Sequence, residues 1–222
     1  SAAYAKLNVR IIGSDPGVTA ALNGGTHMPF EDMGLMRCIP EVTILEPTDS
    51  VMLADLLRQT KDLHGVFYIR LSRKKVQKIF ADGSTFTIGK AAKLRDGNDV
   101  TIFATGISVA DALRASDMLA AEHISAGVTN LFTIKPIDRE AIAEAAQSTG
   151  AIVTAENHNV IGGLGSAVAE VLAETTPCAL ERVGVHDRFG EVGDVEYLKK
   201  TLHLTAEDIV LAAKRAIARK GK

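Results

Sequence analysis

The chain has 222 residues, about one and a half times a typical domain, so we expect one large or two small domains. With 46% hydrophobic residues, 23% charged residues and a formal net charge of −2, its composition is that of a soluble globular protein. It lacks the basic surplus of nucleic-acid or anionic-membrane binders, and no stretch reaches the roughly 18 apolar residues of a membrane-spanning helix. Cys38 and Cys178 are far apart and lie beside apolar residues, which predicts reduced thiols in a cytoplasmic protein rather than a disulfide scaffold or a metal site.

The first third of the chain alternates strand and helix patterns. Strand-like segments rich in β-branched and aromatic residues lie at 8–14, 42–48 and 65–72. Apolar residues repeat at intervals of three and four over 30–39 and 50–63, which predicts two helices. This order predicts a parallel sheet, and three strands amount to half of an α/β domain. The opening SAAYAKL reads as the last turns of a helix, so we expect the chain to start inside this unit.

The rest of the chain predicts a linker followed by a second unit. Residues 76–98 are polar and contain glycine, which predicts a hairpin and linker between a first unit at 1–75 and a second at 99–222. In the second unit, strand patterns (99–106, 126–134, 151–157, 178–185) alternate with helix patterns (108–122, 138–148, 165–175), and two further helices follow. Asp138 and Thr205 are predicted helix caps. The predicted fold class is α/β: a partial parallel-sheet unit followed by a complete three-layer α/β/α unit.

Ligands of such folds bind at the carboxyl ends of parallel strands, where three loops here carry polar residues. These loops are GSDPGVTAALNGGTHMPFED, ATGISVAD and ENHNVIGGLGSAVAE. In the last, Gly163 and Gly165 open a helix, but Val168 stands where the dinucleotide pattern needs a small residue, so we expect no bound dinucleotide.

His27 is the most suggestive side chain in these loops. A helix beginning at Pro29 or Phe30 would place the imidazole near its positive end, which favours the neutral ring and suits hydrogen bonding or proton exchange. A lone loop histidine is also often an incidental surface residue. The sequence has no metal-spaced cluster, no G-x-S-x-G elbow and no Walker loop. From the residues alone, the chain is a small-molecule enzyme or enzyme subunit with a polar loop site.

One motif series resembles a known family. GGTHMPFEDMGLMRCIPEVTILEPTDS resembles the G-x-T-H-x-x-x-E, I-P and P-x-D stretch of transketolases and of the related deoxyxylulose-phosphate synthases. YIRLSR, DVTIFATG, TIKPID, TAENHNVIGGLGSAVAEVL and GVHDRFGEVG follow in the same order. Together they cover nearly the whole chain, which resembles the C-terminal part of a transketolase, particularly the C-terminal subunit of split bacterial transketolases.

The resemblance implies a domain organisation and an activity. Residues 1–75 would be the second half of the pyrimidine-binding domain of thiamine diphosphate enzymes, and 99–222 the transketolase C-terminal domain. The implied reaction transfers a two-carbon ketol unit between sugar phosphates, with thiamine diphosphate performing the difficult chemistry. The family's glutamate that activates the aminopyrimidine would lie upstream of Ser1, and another domain would hold the diphosphate and Mg²⁺. We therefore expect a fragment or a short subunit that needs an N-terminal portion, with homodimer contacts through the C-terminal domain.

The resemblance also implies roles for individual residues. His27 would lie beside the thiazolium and contact substrate oxygens or assist proton transfer. Arg73 would grip the substrate phosphate, for which a guanidinium is suited. Asp15 stands where many transketolases have a phosphate-binding histidine and would repel a phosphate. Asn23 stands where the family has an acidic residue that binds a substrate hydroxyl, and its amide can still hydrogen-bond one.

Arg70, Glu156, His158 and the GGLGS turn are expected to have packing or interface roles. Two other interpretations stay open: a deoxyxylulose-phosphate synthase or 2-oxo acid dehydrogenase β-subunit relative, and a non-catalytic assembly or regulatory module with the same fold.

Overall fold

The computed structural model describes residues 1–221, which form a mixed α/β protein with two sheets, as the sequence predicted. The strands are β1 (Val9–Ser14), β2 (Val42–Leu45), β3 (Val66–Leu71), β4 (Ala92–Arg95), β5 (Val100–Ala104), β6 (Ala126–Asn130), β7 (Thr133–Lys135), β8 (Ala151–Asn159) and β9 (Ala179–Val185). The helices are α1 (Asp32–Arg37), α2 (Ser50–Asp62), α3 (Ser108–Ala121), α4 (Arg139–Thr149), α5 (Leu164–Glu174), α6 (Val195–Thr201) and α7 (Ala206–Ala218), with 3₁₀ helices at Gly17–Asn23 and Gly25–His27.

The first sheet has the strand order β1-β3-β2-β7. Its first three strands are parallel, and β7 from the second unit joins them antiparallel to β2. Alternating residues bury opposite faces: Ile44 packs towards α1, and Leu45 packs against α2. The segment 126–134 was predicted as one strand but forms two in different sheets, because Leu131 and Phe132 carry the chain across to the first sheet.

The second sheet has the order β4-β6-β5-β8-β9, with all pairs parallel except β4 with β6. Helices α3 and α7 cover one face, and α4 and α5 cover the other. Asp138 accepts a hydrogen bond from the backbone N of Ala141, and Thr205 forms a capping box with Asp208, as the sequence predicted. The unit is a three-layer α/β/α domain.

Two further segments differ from the sequence prediction. Residues 76–98 contain the single strand β4, which joins the second sheet, instead of a hairpin. Residues 2–6 form hydrogen-bonded turns rather than the end of a helix, because Lys6 takes a positive φ of 53° that stops helical continuation. Among residues 1–221, no helix combines the length and the hydrophobicity that a membrane span requires.

Candidate functional site

A cavity of about 570 Å³ opens at the carboxyl ends of the parallel strands in the first sheet. Because β1, β2 and β3 run in the same direction, the loops that follow them meet at one edge. The second unit closes the cavity with Gly106, Ile107 and Asn157. An adjoining cavity of about 320 Å³ shares Lys74 and Lys75 in its lining. The two adjoining cavities make this edge a candidate site for a small ligand.

Asp15 and Arg73 contact each other at this edge. Asp15 is buried and accepts a hydrogen bond from the backbone N of Arg73 at 2.9 Å. The Nε of Arg73 donates to the other carboxylate oxygen, while 66% of the Arg73 side chain stays exposed beside the cavity. The sequence interpretation treated Asp15 as a free anion that would repel a phosphate. The structure instead pairs its charge with Arg73, because the ends of β1 and β3 are adjacent.

His27 and Asn23 are exposed on a loop that contains two short 3₁₀ helices. The Nδ1 of His27 is 3.0 Å from Thr26 Oγ1. The sequence predicted that His27 lies at the N-terminus of a helix, but helix α1 begins only at Asp32. The helix starts later than predicted because Pro29 still belongs to the loop, where its carbonyl oxygen accepts a hydrogen bond from the backbone N of Gly17. Within residues 1–221, neither His27 nor Asn23 hydrogen-bonds to the Asp15–Arg73 pair.

The paired glycines of this loop have a structural reason. Gly24 has a φ of 81°, which favours glycine. A Cβ on Gly25 would lie 2.2 Å from the carbonyl oxygen of Gly190, so this position tolerates no side chain. The GGTH turn is thereby pressed against the loop after β9, and a further cavity lies between them, lined in part by Thr26, Met28 and Phe189.

Arg70 is the centre of a buried polar cluster. The sequence predicted only a structural role for Arg70 and did not reveal the cluster. Its Nε donates to Asp32 at 2.9 Å, its Nη1 to Glu46 at 2.5 Å, and its Nη2 to the carbonyl oxygen of Asn157 at 2.8 Å. Tyr68 also donates to Asp32, at 2.6 Å. Burial raises the pKa of Glu46, and the Arg70 charge opposes that rise. The cluster fastens the first sheet to β8 of the second unit.

Glu156 and His158 are buried on β8 behind this cluster. Glu156 accepts hydrogen bonds from the backbone N of Leu164 and of Gly165 at the start of α5, and burial raises its pKa to about 8. His158 accepts from the backbone N of Gly34 at 3.3 Å, and burial lowers its pKa to about 4. These hydrogen bonds join β8 to helix α5 through Glu156 and to helix α1 through His158.

The structure thus brings together two of the four predicted site residues, Asp15 and Arg73. It also shows a pair that sequence reasoning missed, Lys74 and Lys75, which line both cavities. The signal that could have identified them was the run Arg-Lys-Lys, which begins two residues after the end of a strand at the ligand edge. Among residues 1–221, no three His, Cys, Asp or Glu side chains are grouped to hold a metal ion.

Comparisons with known proteins give consistent matches over both units. The family model described as "Transketolase, pyrimidine binding domain" matches residues 1–78, and "Transketolase, C-terminal domain" matches residues 89–209. The 6-deoxy-6-sulfo-D-fructose transketolase subunit SqwH of Clostridium sp. (strain MSTE9) is 54% identical over 220 residues, which are 99% of this chain and 68% of that relative. A 1-deoxy-D-xylulose-5-phosphate synthase of Heliobacterium modesticaldum is 36% identical over 92% of this chain and 32% of its own length.

Comparison with solved structures also gives matches to transketolases. One described as "Split gene transketolase, inactive beta4 tetramer" has a TM-score of 0.91 and 43% identity, and the match covers 98% of this chain and 69% of that chain. The transketolase from Leishmania mexicana has a TM-score of 0.78 at 19% identity, over 100% of this chain and 32% of its own, and shows the shared fold.

Proposed function

Because the chain belongs to the transketolase family, which confirms the resemblance drawn from its motifs, we propose that it is the C-terminal portion of a thiamine diphosphate-dependent transketolase. The reaction is transfer of a two-carbon ketol unit between sugar substrates. One observation carries the proposal: 54% identity with a transketolase subunit over 99% of this chain. That relative's name specifies a sulfonated ketose, so the substrates we propose are sugars with a phosphate or sulfonate at the far end.

The chain needs an N-terminal portion to work. Thiamine diphosphate supplies the electron sink for the transferred unit when it is bound. The acidic side chains that line the 570 Å³ cavity are Glu46, which is paired with Arg70 through Oε1, and Asp49, which accepts from backbone N–H groups. Two carboxylates engaged in this way do not fit a Mg²⁺–diphosphate site. We propose that the N-terminal portion holds both groups, that the complex is cytoplasmic, and that the C-terminal domain makes homodimer contacts. Phe189 and Val192, both largely exposed on that domain, support the last point.

We propose a role for each of the four site residues that the sequence predicted. His27, on the exposed turn, contacts substrate oxygens and assists proton transfer beside the cofactor. Asn23 hydrogen-bonds a substrate hydroxyl through its amide. Arg73 presents its two Nη groups to the charged end of the sugar, since its Nε is bonded to Asp15. Asp15 thereby acts on the substrate only through Arg73.

Two further functions remain as alternatives. The 36% identity to a deoxyxylulose-phosphate synthase favours a relative with that chemistry. The relative described as an inactive tetramer of β-subunits favours a module that assembles without catalysing. Both are weaker than the transketolase assignment, because the most similar of these relatives is named a transketolase subunit.

Titration with thiamine diphosphate tests the proposal. We expect no Mg²⁺-dependent binding to this chain alone and tight, Mg²⁺-dependent binding to its mixture with the N-terminal portion. Absence of binding to the mixture would support the non-catalytic module instead.

A further inference from the structure

We propose that Lys74 and Lys75 bind the terminal oxyanion of the sugar substrate, a phosphate or a sulfonate. The inference rests on the proposed function and assigns its charged-end subsite. Both residues follow β3 directly after Arg73, and both line the 570 Å³ and 320 Å³ cavities.

The segment that carries the two lysines is fixed at both ends. At its start, Arg73 is bonded to Asp15 through its backbone N and its Nε. At its end, the backbone N atoms of Ile79 and Phe80 donate to Asp49 at 2.8 and 2.9 Å. Asp49 is itself fixed as the N-cap of α2. The lysines are therefore held beside the cavities by a backbone that is anchored at the end of β1 and at the N-terminus of α2.

The charges at this edge leave these two lysines available. Arg73 is paired with Asp15, and Lys78, which also lines the larger cavity, is paired with Asp82 at 2.6 Å. In the part of the chain that the structure describes, neither Lys74 nor Lys75 lies within ion-pair distance of a carboxylate. Among the cationic side chains that line the 570 Å³ cavity, Lys74 and Lys75 are thus the two without a carboxylate partner in the described residues.

The remaining lining suits a sugar with a tetrahedral oxyanion. Thr48 lines both cavities, and its hydroxyl accepts from Asn130 and can still donate, whereas the hydroxyls of Thr19 and Ser72 donate to backbone carbonyl oxygens. An ammonium group is a common phosphate ligand that acts as a point charge, so two of them accept a phosphate or a sulfonate without demanding one geometry.

The test measures the Michaelis constant in the complete assembly for three ketoses: D-fructose 6-phosphate, 6-deoxy-6-sulfo-D-fructose and D-fructose. We expect Lys74→Gln and Lys75→Gln each to raise KM for the charged ketoses about three- to tenfold, and together by more, with kcat and the KM for D-fructose unchanged. A response with one charged ketose alone identifies that oxyanion as the ligand, and a response with both shows that the site accepts either. Lys61→Gln is the matched control, since Lys61 lies in the last turn of α2, about 20 Å along the helix from Asp49.

An unchanged KM for both charged ketoses in the double variant, or an equal rise with D-fructose, would overturn the inference while leaving the transketolase assignment intact. If the assembly transfers no ketol unit, the proposed function fails, and binding to the chain decides the inference separately. Titration with inorganic phosphate and sulfate at constant ionic strength should then shift the backbone amide resonances of residues 72–76, and the double variant should lose that shift. No localised shift with either anion would overturn it.

Discussion

Asp15 and Arg73, 58 residues apart in sequence, hydrogen-bond to each other at the carboxyl edge of the first sheet. The carboxylate is buried, while the guanidinium reaches into solvent beside the main cavity. Asp15 orients the Arg73 side chain and at the same time neutralises part of its positive charge. Binding of an anionic sugar at this edge therefore depends on how much of that charge Asp15 removes.

Asp15→Asn should strengthen binding of phosphorylated sugars. The amide oxygen can still accept a hydrogen bond from Arg73, but the negative charge is gone. We expect KM for a phosphorylated ketose to fall about two- to fivefold in the complete assembly, the scale of one partly exposed ion pair. Asp96→Asn removes the same charge from an exposed pair with Lys93 and should change nothing. A rise in KM would mean that Asp15 acts mainly by orienting Arg73.

Arg70→Met should destabilise the fold strongly. It leaves the carboxylates of Asp32 and Glu46 near each other without their shared cation. Breaking a buried ion pair in this way costs about 3–5 kcal/mol of unfolding free energy, which urea denaturation measures. Arg58→Met, whose side chain is 74% exposed beside Asp55, should cost about 1 kcal/mol or less. Similar losses for both variants would show that the Arg70 cluster contributes little to stability.

His158 should make stability fall in mild acid. Its pKa is lowered to about 4 by burial, from 6.5 in the unfolded chain, so its contribution is complete above pH 6.5 and is lost as pH falls towards 4. The stability advantage of the natural protein over His158→Gln should shrink by about 2–3 kcal/mol between pH 7 and pH 4. The exposed His123→Gln serves as control. Stability curves that stay parallel for His158→Gln would refute the burial argument.

Local patterns predicted most of the fold. Strand and helix periods and the caps at Asp138 and Thr205 depend on neighbouring residues, so the sequence reveals them. The crossing of β7 into the first sheet and the contact of Arg70 with Asn157 join the two units over long sequence distances, and no local period encodes them. For the same reason Asp15 could be singled out from sequence, but its pairing with Arg73 could not.

His27→Ala should lower kcat in the complete assembly by about a hundredfold or more, the usual range for a general acid or base. The binding of thiamine diphosphate should be unaffected, which separates a proton-transfer role from a loss of structure. His64→Ala is the matched control, because His64 is exposed just before β3 begins, at the opposite edge of the sheet. Full turnover in His27→Ala would identify the residue as an incidental surface histidine.

The most direct test of the transketolase assignment is ketol transfer by the reconstituted assembly. The chain, its N-terminal portion, thiamine diphosphate and Mg²⁺ are mixed with a ketose phosphate donor and an aldose phosphate acceptor, and the products are identified by mass spectrometry. A parallel reaction with pyruvate is monitored for carbon dioxide. We predict transfer of a two-carbon unit between the sugars and no decarboxylation of pyruvate. Decarboxylation without transfer between sugars would contradict the assignment.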